Sequence, residues 1–194
     1  MRITQTKFPW PAHATRTPGL HLTDVTRDML DTPPFVESEC AWAGFGLAWE
    51  LALLNEPDFA HVIPGGEVEC DGILCTPDGF DPANNAVVEI KFTWRNVHSP
   101  SAKPEWIWQT AAYCHALGVR RVDFYVGYVL GARPFCPARH RWIVEFQEHE
   151  IAERWHAITQ HAASMRAKAR HDVVWRDVRS HGTGEWPRYH TGGA

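Results

Sequence analysis

Two carboxylates and a lysine in the middle of the chain have the types and spacing of a metal-assisted hydrolytic site. Glu89 and Lys91 lie in "AVVEIKFTW", residues 86–94, and Asp78 lies in "TPDG", with ten residues between Asp78 and Glu89. Carboxylates held close together raise each other's pKa unless a cation lies between them. Magnesium is bound by one or two carboxylates together with water and phosphate oxygens, so this set suits phosphoryl chemistry. Lys91 could orient a water molecule or stabilise charge that develops on the phosphate.

The segment around Glu89 and Lys91 predicts a strand that holds both side chains on one face, since alternate side chains of a strand point the same way. Residues 67–76, "EVECDGILCT", predict a second strand, and residues 77–85, rich in Pro, Gly, Asp and Asn, predict the connection. A tight connection would bring Asp78 near Glu89 across the pair. The alternative is a surface Glu–Lys pair on a half-exposed strand.

Helices are predicted before these strands. Residues 20–30, "LHLTDVTRDML", predict a short helix with Thr23 as its N-cap. Residues 35–55 predict a longer helix, because apolar residues recur there at helical spacing. These apolar positions are Ala43, Leu47, Leu51 and Leu54.

The second half of the chain predicts a helix, two strands and a long helix. Residues 104–118 begin with proline, end with glycine and predict a helix. Residues 121–130 and 139–146 alternate apolar and polar side chains, which predicts strands. Residues 148–170 carry an apolar stripe at helical spacing. The order of helices and strands predicts an α/β fold with a mixed sheet flanked by helices.

Three further residues, on two of the predicted helices, accompany these motifs. The helix "WQTAAYCHALG" carries Gln109 and Tyr113 in a Q-x-x-x-Y spacing, and Glu50 lies in the helix upstream of "PDG" and "EIK". Together the four motifs, over roughly residues 40–130, resemble the PD-(D/E)xK nuclease superfamily and its RecB-like and lambda-exonuclease-like branch. "LHLTDVTRDML" is also similar to the opening helix of such nucleases. The resemblance implies a restriction-endonuclease-like core.

The resemblance also implies a role for each residue. Asp78, Glu89 and the backbone carbonyl of Ile90 would bind Mg²⁺, for which Mn²⁺ would substitute. Glu50 would complete the site directly or through water, and Lys91 would position the attacking water. Gln109 and Tyr113, on one helix face, would hold the lysine, a ligand or a DNA phosphate; the alternative for Tyr113 is a core aromatic. Asp71 and Asp81 compete for the ligand role; Asp78 is preferred because the resemblance implies an aspartate after the strand in a P-D-G setting, and because Asp81 would lie in the turn.

The implied function is a metal-dependent DNA exonuclease that acts on the ends of double-stranded DNA in phage-type recombination. Two alternatives stay open: a structure-specific or restriction-type endonuclease, and a nuclease-fold DNA-binding or virion component without activity. The chain carries no G-x-x-x-x-G-K-[ST] phosphate loop, so any motor would be another protein. The resemblance makes a single-strand annealing recombinase a possible partner and a trimer a possible assembly.

Composition predicts one ordinary globular domain over residues 1–194, with a flexible Gly-rich tail from about residue 179. The sequence lacks a long apolar run and a secretory signal, so we expect a cytoplasmic protein that does not bind a membrane. The net charge of −4 does not itself indicate nucleic-acid binding. Basic residues nevertheless gather in the second half, where they could line a DNA track or a solvated face. They are Arg120, Arg121, Arg139, Arg141, Arg166, Lys168 and Arg170.

The five cysteines are scattered along the chain and predict reduced thiols. Neither the cysteines nor the twelve histidines cluster at the short spacing of a zinc site, so none is expected. Some RecB-like nucleases carry four cysteines that bind an iron–sulfur cluster. This chain has none of them beyond Cys136, and the resemblance therefore implies no such cluster.

Overall fold

The structure, a computed structural model, describes residues 17–32, 37–93, 99–128 and 138–179. Four helices and eight strands make up these regions. Their bounds, in chain order, are β1 Leu20–His21, α1 Leu22–Met29, α2 Glu37–Leu54, β2 Ile63–Pro64, β3 Val68–Cys70, β4 Ile73–Cys75, β5 Gly79–Asp81, β6 Ala86–Thr93, α3 Pro104–Leu117, β7 Arg121–Tyr128, β8 Ala138–Glu145 and α4 Glu148–Arg179.

The strands form two sheets, and both are mixed. The larger sheet has the order β2-β5-β6-β7-β8, in which only β6 and β7 run parallel. Helix α3 makes the crossover between these parallel strands, which a hairpin cannot join. The smaller sheet has the order β1-β4-β3. The predicted α/β fold with a mixed sheet flanked by helices is therefore confirmed.

Strand β6 divides the core because its side chains alternate between the two faces of the sheet. Val87 belongs to the larger apolar cluster, which includes residues of α1, α3 and α4. Val88 and Ile90 belong to a smaller cluster with Leu53 of α2. Glu89 and Lys91 share the face of Val87, so the charged pair points toward the side of the sheet that α3 covers.

The periodic elements of the second half follow the sequence pattern. Helix α3 ends at Gly118, whose φ of 67° lies in the left-handed region that terminates helices. The predicted apolar stripe of the last helix packs in the larger cluster, and this helix runs to Arg179, beyond the predicted end at residue 170. The predicted flexible tail lies almost wholly outside the described residues.

The predicted single strand over residues 67–76 is wrong. It is a hairpin of β3 and β4, in which Cys70 pairs with Ile73 around a two-residue turn. Asp71 and Gly72 have φ values of 51° and 72°, a geometry that two-residue hairpin turns require and that Asp-Gly favours.

The predicted connection over residues 77–85 contains strand β5, which pairs with the start of β6. Asp78 follows β4, as predicted, and lies directly before β5, which was not predicted. Asp81, expected in the turn, is the last residue of β5 and only 1% exposed. Its carboxylate accepts hydrogen bonds from the backbone N–H groups of Ala83 and Asn84, which explains why a charged group is buried there.

Two predictions for the helices also need correction. Helix α1 begins at Leu22 with His21 in the N-cap position, so Thr23 lies inside the helix. Leu47 and Leu51 of α2 are 44% and 53% exposed, while Leu53 is buried. Apolar residues occur on every face of this part of α2, so their spacing does not show which face is buried. No helix in the described part of the chain is long and apolar enough to cross a membrane.

Candidate active site

The candidate site is built around the charged pair of β6. Glu89 is 1% exposed, and its Oε1 accepts a hydrogen bond from the Lys91 ammonium group, whose side chain is 20% exposed. The second oxygen of Glu89, Oε2, is buried and has no hydrogen-bond partner. A buried carboxylate oxygen without a partner is costly, so this atom is available to an incoming cation or donor.

Asp78 is attached directly to β6. Its Oδ2 accepts a hydrogen bond of 2.6 Å from the backbone N–H of Ile90, the residue between Glu89 and Lys91. The backbone carbonyl of Asp78 accepts another from the N–H of Gly65, at 2.9 Å. The two contacts hold the Asp78 segment between the β6 strand and the chain before β3.

Helix α2 supplies a third carboxylate, Glu50. Burial, and then the charge of Asp78, raise the pKa of Glu50 to about 7, although Lys91 acts in the opposite direction. The pKa of Glu50 therefore responds to the charges of Asp78 and Lys91, two other residues of the predicted site. The predicted metal-site residues therefore come from α2, from the segment before β5 and from β6.

The charges in this group are not balanced. Burial raises the pKa of Asp78, with Lys91 opposing. Burial and the charge of Asp78 also raise the pKa of Glu89. For Lys91, burial favours the neutral amine, but Glu89 and Asp78 outweigh it and raise its pKa. One ammonium group thus faces three carboxylates, and burial is the largest cause of their raised pKa values.

This donor set fits a hard divalent cation. Carboxylate oxygens are the ligands that Mg²⁺ prefers, and a dication would supply the missing charge. The ligand oxygens of Glu50, Asp78 and Glu89 do not all lie within 4.8 Å of one another. A shared ion would therefore have to draw these side chains together or reach one of them through water.

Helix α3 places Gln109 and Tyr113 next to the lysine. The Gln109 side-chain amide donates a hydrogen bond of 2.8 Å to the Tyr113 hydroxyl. Its Oε1 accepts a long one of 3.4 Å from Lys91 Nζ. Tyr113 is 2% exposed, and burial followed by the charge of Glu89 raises its pKa well above the usual value. Tyr113 is thus both a core aromatic and the residue that contacts Gln109.

The two competing aspartates make other contacts. Asp81 binds the turn after β5 and lies 3.2 Å from the His61 imidazole. Asp71 lies in the β3–β4 turn, where its Oδ2 accepts a hydrogen bond of 2.9 Å from the Trp155 indole. Neither aspartate contacts Glu89 or Lys91 through a described hydrogen bond or ion pair.

Several of the predicted basic residues are paired within the fold. Arg139 donates two hydrogen bonds to Glu56, at 2.6 and 2.7 Å. Arg121 and Arg141 both pair with the buried Asp123. Arg166 donates to the carbonyl of Gly72, at 2.6 Å. The Arg170 side chain lies outside the described residues.

One group of potential ligands was not predicted from the sequence. Cys70, Asp71 and His115 each bring one ligand atom within 4.8 Å of the others, although no zinc site was expected from the cysteine and histidine spacing. The Asp-Gly dipeptide was the available sign of a tight turn after Cys70. The approach of His115 depends on how α3 packs, which no local pattern indicates.

No known protein family and no curated protein matches the sequence. Solved structures do match. An alkaline exonuclease from Laribacter hongkongensis matches in two structures, one of them a complex with dAMP, each with a TM-score of 0.54 and 15% identity over 83% of this chain and 93% of that chain. A phage-related exonuclease from Haemophilus somnus 129PT matches with a TM-score of 0.48 and 13% identity, over 76% of this chain and 81% of that chain. The likeness to the alkaline exonuclease shows a shared fold, and the predicted α/β fold with a mixed sheet flanked by helices agrees with it.

Proposed function

We propose that the chain is a metal-dependent deoxyribonuclease, and specifically an exonuclease that hydrolyses phosphodiester bonds at the ends of duplex DNA. The observation that carries this proposal is the charge imbalance at β6, where Asp78, Glu89 and Glu50 surround one lysine and a buried carboxylate oxygen has no partner. The fold shared with an alkaline exonuclease that is solved with dAMP supports the choice of DNA as substrate.

In the proposed site, Asp78, Glu89 and the carbonyl of Ile90 would hold Mg²⁺, and Glu50 would complete the site directly or through water. Mn²⁺ would substitute, because it accepts the same oxygen ligands. When bound, the cation would supply positive charge to the phosphate and would favour deprotonation of water. The carboxylates thereby gain the charge compensation that they lack without metal.

Lys91 is the proposed positioning group for the attacking water. Its ammonium group has one described contact with Glu89 and a long one with Gln109, and it is partly exposed. During hydrolysis the water oxygen forms a bond to phosphorus and one ester P–O bond breaks. The proton lost by the water is balanced by one gained on the departing oxygen. Gln109 holds the lysine, and Tyr113 fixes the Gln109 amide from the other side.

The test is cleavage of linear and covalently closed circular duplex DNA in Mg²⁺, with and without excess EDTA. The exonuclease proposal predicts that only linear DNA is degraded and that EDTA abolishes degradation. Asp78→Asn and Glu89→Gln should each lose activity, while Glu153→Gln, which removes an exposed carboxylate of α4, should keep it. Cleavage of the circle would indicate an endonuclease. No cleavage together with retained DNA binding would indicate a binding or virion component.

Processive digestion from an end would be favoured by an assembly that encloses the duplex. We therefore propose a trimer as the assembly to test, and a single-strand annealing recombinase as the partner that would use the product strand. Light scattering coupled to size exclusion measures the first. A monomer in the presence and absence of linear DNA would contradict the trimer without affecting the nuclease proposal.

A further inference from the structure

A second group of potential metal ligands lies at the turn of the β3–β4 hairpin. Cys70 ends β3, Asp71 opens the turn, and His115 lies in the last turn of α3. One ligand atom from each residue lies within 4.8 Å of the other two. Over the described regions, no other trio of Cys, His, Asp and Glu side chains meets this spacing.

We propose that Cys70, Asp71 and His115 bind a zinc ion, with water completing a tetrahedral shell. Sulfur, imidazole nitrogen and carboxylate oxygen are the three donor types that zinc accepts, and a mixed set of this kind does not suit Mg²⁺. In a tetrahedral shell, zinc bonds of about 2.0 to 2.3 Å place two ligands of one ion roughly 3.3 to 3.8 Å apart. The trio is therefore within a small side-chain adjustment of a zinc shell.

Trp155 of α4 orients two of the three ligands. Its indole N–H donates the 2.9 Å hydrogen bond to Asp71 Oδ2, which leaves Oδ1 for an ion. Its ring also stacks on the His115 imidazole, with centroids 4.6 Å apart and planes at 16°. Hydrogen bonds to the non-ligating atoms of carboxylate ligands are a regular feature of metal sites, because they fix the orientation of the ligand.

The backbone of the turn is also fixed before any ion binds. Asp71 has a φ of 51°, in the left-handed region, and Gly72 follows with a φ of 72°. Arg166 donates to the backbone carbonyls of both residues, at 3.4 and 2.6 Å. The guanidinium group thus lies near the turn. Its described hydrogen bonds go to backbone carbonyls, and none goes to a ligand atom of the trio.

Solvent can reach the trio, which an incoming ion requires. Asp71 and His115 are exposed and Cys70 is half-buried. Cys75 and Cys114, the other two described cysteines, are at most 1% exposed. Cys70 is therefore the described thiol that an ion from solution can reach.

The proposed ion would join two elements that are distant in the chain. Cys70 and Asp71 belong to the hairpin, whereas His115 belongs to the C-terminal turn of α3. A shared ion would fasten the tip of the hairpin to the helix that carries Gln109 and Tyr113. This inference does not depend on the proposed nuclease activity, since its ligands take no part in the candidate active site.

Cobalt is the probe for this site, because Co²⁺ takes the place of Zn²⁺ and absorbs visible light. The reduced full-length chain is titrated with Co²⁺ in excess Mg²⁺, which occupies carboxylate sites. The proposal predicts one Co²⁺ per chain, a thiolate-to-cobalt charge-transfer band and intense tetrahedral d–d bands, all removed by one equivalent of Zn²⁺. Zinc should also raise the thermal midpoint of unfolding, because it binds the folded state.

Matched variants test whether Co²⁺ binds to this trio or to another cysteine. Cys70→Ser should abolish the charge-transfer band. Asp71→Asn, which tolerates the left-handed turn, and His115→Ala should each weaken Co²⁺ binding by roughly 10-fold or more. His149→Ala, an exposed histidine elsewhere, and the double variant Cys40→Ser/Cys136→Ser should bind as wild type does. Circular dichroism confirms that each variant folds.

Three outcomes would overturn the inference. The first is absence of tetrahedral cobalt bands from the wild type. The second is a charge-transfer band that persists in Cys70→Ser and disappears in Cys40→Ser/Cys136→Ser, since the ligand thiol would then lie elsewhere. The third is unchanged affinity in both Asp71→Asn and His115→Ala. Each result can be read without a nuclease assay.

Discussion

At the scale of single residues, the central feature is a lysine among carboxylates that have too little positive charge around them. Glu89 is buried and has one oxygen without a partner, and Asp78 uses an oxygen to bind the backbone of Ile90. Burying these carboxylates is unfavourable unless a cation compensates their charge. The structure therefore makes the response of the metal-free protein to pH and the role of Lys91 testable.

The metal-free protein should lose stability as the pH rises through the range in which Glu50 ionises. Its pKa is 4.5 when unperturbed and about 7 in the folded chain, because burial and the charge of Asp78 raise it. Between these values the unfolded chain has released the proton and the folded chain retains it, so the free energy of unfolding falls with rising pH. The contribution is complete below pH 4.5 and lost above about pH 7.

Urea unfolding in EDTA at several pH values measures this effect. Glu50→Gln cannot ionise, so its stability should fall less than that of the wild type over the same range. Glu153→Gln, on an exposed part of α4, serves as the control and should follow the wild type. Identical pH profiles for the wild type and Glu50→Gln would contradict the assignment of the raised pKa.

Replacing Lys91 by Ala should slow cleavage roughly 100-fold or more, because it removes a group that acts on the transition state. Affinity for DNA, measured in Ca²⁺ so that cleavage is suppressed, should change little. Single-turnover rates separate the two effects. Lys103→Ala is the control, since this lysine pairs with Glu105 at the start of α3.

Lys91→Met checks that any loss does not come from unfolding, because it keeps the apolar stem of the side chain. It should be as slow as Lys91→Ala. If Lys91→Ala instead abolished binding and left single-turnover chemistry intact, the lysine would have been assigned the wrong role.

At the scale of elements, the position of Asp78 depends on how closely two chain segments approach. Gly65 donates its N–H to the Asp78 carbonyl, and a methyl group at Gly65 would overlap the carbonyl oxygen of Pro77. The same methyl group would lie 2.8 Å from the carbonyl carbon of Asp78. Both clashes are with backbone, so the segment that carries Asp78 would have to move.

Gly65→Ala should therefore lower the cleavage rate roughly 100-fold, which is the scale of loss when a catalytic group is displaced by about 1 Å. It should also weaken metal binding. Gly66→Ala is a matched control, because a methyl group there meets no atom within 4 Å. Activity and Mn²⁺ affinity are measured for both variants. Equal activity of Gly65→Ala and Gly66→Ala would show that Asp78 does not need this contact.

At the scale of the whole molecule, the net charge is −4, so the chain as a whole does not attract DNA. Binding then depends on where basic groups without a carboxylate partner lie. The sequence left open whether Arg139 and Arg141 line a DNA track or a solvated face, and in the structure they pair with Glu56 and Asp123. A guanidinium group already neutralised by a carboxylate releases fewer counterions when it meets a phosphate. These two arginines should therefore contribute little to the salt dependence of binding.

The double variant Arg139→Ala/Arg141→Ala should change the slope of log K against log salt by less than about one unit, where each full phosphate contact contributes about 0.9. Fluorescence anisotropy of labelled duplex DNA in Ca²⁺ at a series of salt concentrations measures the slope. A decrease of nearly two units would mean that both arginines leave their carboxylates for phosphates. An unchanged slope would direct attention to the α3 helix with Gln109 and Tyr113, or to a channel between subunits.

The sequence by itself determined the elements whose side chains repeat with a clear period. The alternation of apolar and polar residues predicted β7, and the apolar stripe predicted α4, because one face of each must be buried. The fold class followed from the order of helices and strands. The motif residues of β6 and α3 could be named for the same reason, since their spacing places them on one face of a strand or helix.

The tertiary structure decided what depends on contacts between distant segments. The register of β5 on β6 sets where Asp78 meets Ile90, and a strand of three residues carries too little pattern to predict it. The buried face of α2 was undetermined, because apolar residues lie all around that helix. Cys70 and His115 approach each other only because α3 packs beside the hairpin. Local spacing fixes the direction of a side chain on its own element, but only packing between elements fixes what that side chain meets.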